Sequence, residues 1–188
     1  MLVLVRHGAT EWSESGQHTG TTDLPLIDAG RRAAEKLRPR LSRYDFALVL
    51  TSPLERARET CALAGLGDGA EVEPELREFE YGAYEGRTTA DIREERPGWN
   101  VWRDGSPGGE TAAMVGERAD RVIARALEAG GDVALFAHGH VLRVIGARWV
   151  ELPAVYGGHL GLGTAAVCEL DYERETRVIG LWNDQSHL

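Results

Sequence analysis

The sequence predicts an α/β fold of three layers, helix, sheet, helix, built on a mainly parallel sheet. Three observations carry this. Aliphatic runs at 2–5, 46–50 and 133–137 have the length and make-up of buried strands. The segments between them show helical periodicity and helix start signals. Strands that alternate with helices in this way need both faces of a parallel sheet covered.

The elements follow in order. Leu2–Val5 is a buried strand that ends in a polar, glycine-containing loop. Residues 8–27 are polar and turn-rich, too long for an ordinary connection, and so marked for function. Asp28 is expected to cap a helix to about Leu41, with Ala33, Ala34 and Leu37 on one face. Phe46–Leu50 is the second strand. Pro53, in Thr51-Ser52-Pro53, suits the first turn of a helix to about Ala64. Residues 66–75 connect onward, with a short strand near Val72. Residues 76–108 lack a clean period and scatter Phe79, Tyr81, Tyr84, Trp99 and Trp102 among glycines and charges. They read as an insertion covering one end of the sheet, with a short helix near 88–96. Glu110 is expected to open an amphipathic helix to about Ala129, closed by Gly130-Gly131. Val133–Ala137 is the third strand, followed by His138-Gly139-His140 and a helix over 140–150. Strands near 164–170 and 176–182 form a closing hairpin. No repeat or linker divides the chain, so residues 1–188 are expected to form a single domain.

Composition narrows the function. The 188 residues are 43% hydrophobic and 27% charged, with a net charge of −9, which sets nucleic acid and anionic membrane aside as partners. A small-molecule partner remains, and a homodimer is compatible with the sequence. Of the 21 lysines and arginines only Lys36 is lysine. Guanidinium grips oxyanions bidentately and keeps its proton. Cys61 and Cys168 lie far apart without CxxC spacing, so neither zinc nor a disulfide framework is expected. Met1–Val5 is too short for a signal core, and no run approaches the ~18 apolar residues of a membrane span. A cytoplasmic protein is the expectation.

The chemistry gathers where α/β sheets bind ligands, at the carboxyl ends of the strands. The first strand ends in Arg6-His7-Gly8. The second ends in Thr51-Ser52-Pro53, with Arg56 one turn into the next helix. The third ends in His138-Gly139-His140. One histidine at a strand end is ordinarily structural. Two histidines, two arginines and a hydroxyl at three successive ends point to phosphoryl chemistry, with histidine as nucleophile or proton carrier and arginine as clamp. A metal site is not expected, because HExxH spacing is absent and the arginines would repel a cation. No cofactor is called for.

These residues resemble the histidine phosphatase superfamily, the phosphoglycerate mutase-like family. The matching stretches are LVRHGATEWS (4–13), HTGTTDLPLIDAGRRAA (18–34), TSPLERARET (51–60), LREFEYGAYEG (76–86), GGET (108–111) and FAHGHVLR (136–143). HTGTTDLPL, NVWRDG (100–105) and AHGH are most similar to the branch of sedoheptulose-1,7-bisphosphatase-type enzymes and small acid phosphatases. The resemblance implies a phosphoglycerate mutase-like fold and a phosphomonoesterase acting on a small phosphorylated metabolite such as a sugar phosphate. It implies His7 as the phosphorylated nucleophile, and Arg6, Arg56 and His138 as the phosphate pocket. Glu78 becomes the general acid/base. Glu80 would share its face if the segment were extended, and alignment favours Glu78. Ser13, Thr19 and Gly20 fall where the family contacts the phosphate or the rest of the substrate; His18, beside them in the long loop, and Ser52 and Gly139, at the strand ends, are candidate substrate contacts from their position alone. Ser13 stands where many relatives have asparagine and offers fewer donors.

As an acid, Glu78 needs a raised pKa, expected from burial or neighbouring anions. Arg103 is a candidate contact for the distal part of a substrate. His140, if it opens its helix, points away from the pocket, and His159 and His187 are surface residues. Trp99 and Trp102 either wall the pocket or anchor the insertion, Glu110 caps its helix through its charge and by the resemblance also lies near the site, and residues 157–163 make a rim turn. Two other functions stay open: a mutase that returns the phosphoryl group to the same skeleton, and a binding module with a dead site.

Overall fold

The computed structural model describes residues 1–188. Its centre is a six-stranded sheet. The strands are β1 (Leu2–Arg6), β2 (Phe46–Thr51), β3 (Glu71–Val72), β4 (Asp132–Ala137), β5 (Val167–Glu173) and β6 (Thr176–Asp184), in spatial order β3-β2-β4-β1-β5-β6. β1 to β4 run parallel, and β5 and β6 add an antiparallel hairpin at one edge. The sheet is therefore largely parallel, as the sequence predicts.

The strands sort their side chains by alternation. Val3, Val5, Ala134 and Phe136 face one layer, where they meet Leu37 and Leu41 of α2 (Asp28–Leu41) and Cys61 of α3 (Glu55–Leu63). Leu2, Leu4, Val133 and Leu135 face the other. There they pack with Val115, Ala119 and Val122 of α6 (Ala112–Glu128) and Val141, Leu142 and Ile145 of α7 (Gly139–Trp149). Both faces are thus covered, the arrangement a parallel sheet needs. No helix is long and apolar enough to cross a membrane.

Several local expectations shift. Asp28 is the first residue of α2 rather than its cap, since Ile27 takes the cap position and makes no side-chain bond. The cap of α6 is Thr111, whose hydroxyl accepts from Met114 N, so Glu110 is freed for another task. The long loop after β1 holds a short helix, α1 (Glu11–Ser15), closed at its start by a reciprocal Thr10–Ser13 pair. The insertion carries α4 (Thr89–Glu95) and an unforeseen turn of helix, α5 (Val101–Asp104). β5 starts at Val167, later than expected, because Ala165 adopts a left-handed backbone (φ 54°) that delays pairing.

Candidate active site

β4 lies between β2 and β1, so the ends of all three strands come together. Backbone bonds extend the ladder one residue past each strand: His7 N donates to Ala137 O (3.0 Å) and Ser52 N to Phe136 O (2.9 Å). This sets His7, Ser52 and His138 side by side. Gly8 must be glycine, because a Cβ there would lie 2.4 Å from the carbonyl oxygen of Gly30. That close approach seats the start of α2 under the loop that carries His7. From the far side, Ala165 N donates to His7 O (3.0 Å), so the left-handed Ala165 helps hold His7.

The hydrogen bonds fix the histidine tautomers. His7 Nδ1 is 2.7 Å from Gly8 O. A carbonyl only accepts, so Nδ1 carries the proton and Nε2 keeps a lone pair. Burial, then Arg6, then Arg56 push the His7 pKa down to about 3, so the ring is neutral near pH 7. His138 is wholly buried, its ring centroid 5.1 Å from that of His7. Arg56 Nε donates to its Nδ1 (3.1 Å). Arginine cannot accept, so the His138 proton sits on Nε2 and points to Ser52 Oγ (2.7 Å). Burial and Arg56 hold His138 well below its usual range as well.

A cavity of about 170 Å³ opens in front of His7, with Arg6, Ser13, His18, Thr19, Glu78 and Tyr81 among its lining residues. Arg6 reaches it with one amino group tied to Leu162 O. Arg56 is not on the wall. It is fully buried, and besides His138 it binds the carbonyls of Thr19, Gly20 and Thr22. Its charge acts on His7, and its donors hold the 19–22 loop. His138, Ser52 and Gly20 are also off the wall: His138 is wholly buried beside His7, Ser52 Oγ accepts from it, and Gly20 N donates to the Glu85 carboxylate. Gly139 lines the cavity at the start of α7. Arg103, a candidate distal contact by sequence, is not brought to the cavity. Two-thirds exposed, it pairs with Asp104 and the Gly98 carbonyl.

Glu78 departs from expectation. Its carboxylate lies buried in the cavity and accepts from Phe79 N (3.0 Å), His140 N (2.9 Å) and Val141 N (2.9 Å). Burial pushes its pKa up, but the backbone N–H groups that it accepts from outweigh that and hold it below the carboxylate range. The first turn of α7 thus binds it as an anion. Glu80 has no such seat. Its backbone N–H instead donates to Glu110 Oε2 (3.0 Å).

Three contributions escape a sequence reading. His140 faces the cavity rather than away from it, because α7 begins at Gly139 and its first turn borders the site. Arg143, one turn on, lies over the Trp102 ring at 4.5 Å and donates to the carbonyls of Gly157 and Gly158, leaving Nη1 without a protein partner on the cavity wall. Trp102 presses on Gly157 and Gly158, where a Cβ would meet the indole within 3.0 Å. Arg118, buried in α6, spends all five donors on Glu110 and the carbonyls of Glu75, Arg77 and Glu78. It clamps the segment that carries Glu78. For Arg143 a faint signal was present in HGHVLR; for Arg118, an arginine on an amphipathic helix, there was none.

Comparison with known proteins agrees with this geometry. The model of the histidine phosphatase superfamily (branch 1) matches residues 2–185. An acid phosphatase of Mycobacterium tuberculosis is 43% identical over 187 residues, covering 96% of this chain and 92% of that protein. A sedoheptulose 1,7-bisphosphatase of Saccharomyces cerevisiae is 39% identical over 200 residues, covering 89% of this chain and 70% of that protein. A solved structure of a Mycobacterium tuberculosis open reading frame superposes with a TM-score of 0.92 at 41% identity, over 97% of this chain and 96% of that one.

Proposed function

This chain belongs to the histidine phosphatase superfamily, branch 1, and is a phosphatase; we propose that it hydrolyses a small sugar-type phosphate monoester through a phosphohistidine on His7. One observation carries the reading. A neutral His7 with its Nδ1 proton held by Gly8 O turns the Nε2 lone pair toward a cavity that also holds Arg6 and Glu78.

The steps follow from those groups. Nε2 attacks phosphorus, the ester P–O bond breaks, and Glu78 protonates the leaving oxygen. Glu78 rests as an anion, so its proton arrives with the substrate. A phosphate monoester entering as its monoanion brings one proton, and the phosphoryl charge facing Glu78 moves that proton onto the carboxylate. Arg6, the Arg56 charge and the first turn of α7 stabilise the phosphoryl oxygens. Water then attacks the phosphohistidine while the Glu78 carboxylate takes its proton, releasing phosphate and restoring Nε2.

Two features support a sugar-type substrate. The relatives include proteins named acid phosphatase and sedoheptulose 1,7-bisphosphatase. Arg143 adds a second cation on the wall, suited to a further anionic or hydroxyl oxygen. The two cysteines are unpaired and buried, in keeping with a cytoplasmic setting. A panel of phosphorylated metabolites tests the proposal, with inorganic phosphate and isomerised ester both measured. Stoichiometric phosphate release from sugar phosphates is expected. Isomer formation without phosphate release would make the protein a mutase instead.

A further inference from the structure

Tyr81 and His140 form a pair that the steps above leave unused. The Tyr81 side chain is 1% exposed, and its hydroxyl lies 2.6 Å from His140 Nδ1, its one hydrogen-bond partner in the protein. A buried phenol keeps its proton, the more so here because burial and Glu78 push its pKa well above the usual value. The one acceptor the protein offers that proton is His140 Nδ1, at 2.6 Å, so Tyr81 donates and Nδ1 accepts. A neutral imidazole that accepts at Nδ1 carries its own proton on Nε2. Nε2 has no partner within the protein and is not sealed from solvent. The ring borders the same cavity as His7 and Arg6, with Nδ1 3.8 Å from Glu78 Oε2. Phe79 and Trp102 wall it at centroid distances of 5.7 and 5.0 Å, which leaves it little room to turn over.

We infer that His140 is a specificity-determining residue whose Nε2–H, held in that tautomer by Tyr81, donates to an oxygen on the alcohol half of the substrate. The inference deepens the phosphomonoesterase reading and rests on it. Glu78 serves the ester oxygen, so a ring beside Glu78 meets what lies just beyond that oxygen. A neutral donor there selects a hydroxyl or carbonyl on the carbon next to the ester. Polyhydroxylated and keto phosphates supply such an oxygen, and aryl phosphates do not. Tyr81 is a positioning residue that acts through His140.

The test compares kcat/KM for a ketose phosphate and for p-nitrophenyl phosphate in the unaltered protein, His140→Phe, His140→Gln and Tyr81→Phe. Ring 15N spectra of the histidines accompany it. The ketose-to-aryl ratio is expected to fall at least tenfold in His140→Phe, chiefly through KM. It is expected to recover most of that loss in His140→Gln, whose amide restores a donor, and to fall severalfold in Tyr81→Phe. The spectra are expected to show His140 as the Nε2–H tautomer, and a mixture in Tyr81→Phe. An unchanged ratio in His140→Phe, or an Nδ1–H tautomer in the unaltered protein, overturns the inference alone. Failure of the unaltered protein to release phosphate from either ester overturns the phosphomonoesterase reading and this inference with it.

Discussion

His7 can act as a nucleophile because burial and two guanidiniums hold its ring neutral, against the upward pull of the Gly8 carbonyl, while that carbonyl fixes which nitrogen keeps the lone pair. Glu78 is set the opposite way, as a carboxylate seated on the first turn of α7. The pair therefore begins with an unprotonated base at each end and depends on the substrate for its proton. This predicts a dependence on the leaving group. Glu78→Gln should slow alkyl phosphates by ~100-fold or more, the usual worth of a general acid, and p-nitrophenyl phosphate only severalfold. Equal slowing in steady-state assays on the two esters would remove Glu78 from the acid role. The positions of Arg6, His7, Arg56 and His138 are legible in the sequence because each follows an aliphatic strand that marks its place on the sheet edge. Glu78 has no such marker and stands out only through the resemblance of LREFEYG. Its charge state is not legible at all, since it is set by N–H groups some sixty residues further along the chain.

The insertion before α6 is an element with little secondary structure of its own, yet it carries Glu78 and Tyr81. What fixes it is the Arg118–Glu110 pair, with Nε and Nη2 at 3.0 Å from the two carboxylate oxygens. Both side chains are almost fully buried, and removing one partner of such a pair leaves an uncompensated charge. Arg118→Met should cost about 3–5 kcal/mol in urea unfolding by that reasoning, and adding Glu110→Gln to it should return part of the loss. A change below 1 kcal/mol would show that the clamp contributes little. The aromatic residues of the insertion announce an anchored segment, and Trp99 and Trp102 do anchor it. The clamp itself is hidden, because a helix pattern assigns arginine to the solvated face and Glu110 to the cap. Only the packing of α6 against 75–80 reveals that Arg118 points inward.

Over the whole molecule, several ionisable groups are held against their usual states by folding. His7 falls from 6.5 to about 3 and His18 to about 4, and His138 moves the same way. The unfolded chain then binds more protons than the folded one as acid is added. Stability is full above about pH 6.5, the ordinary histidine value, and is lost as pH falls toward the folded values. Glu78, also lowered, adds to the loss at more acidic pH. Within its window, a buried histidine adds up to about 1.4 kcal/mol per pH unit to the slope. Thermal unfolding between pH 7 and 4 should show Tm dropping steadily, with a shallower slope in His7→Gln. A slope that His7→Gln leaves unchanged would mean His7 is not held neutral. The alternation of strands and helices makes the three layers legible in advance. The insertion of β4 between β2 and β1 is not, because long-range pairing leaves no local trace, and it is this order that brings the two histidines together.

The central claim is that turnover passes through His7, and rapid-quench trapping with labelled substrate measures it most directly. An acid-labile, alkali-stable phosphate on His7 should form within one turnover and decay to inorganic phosphate, and His7→Ala should neither carry the label nor turn over. Full turnover by His7→Ala, or label found on another residue of the unaltered protein, would contradict the account.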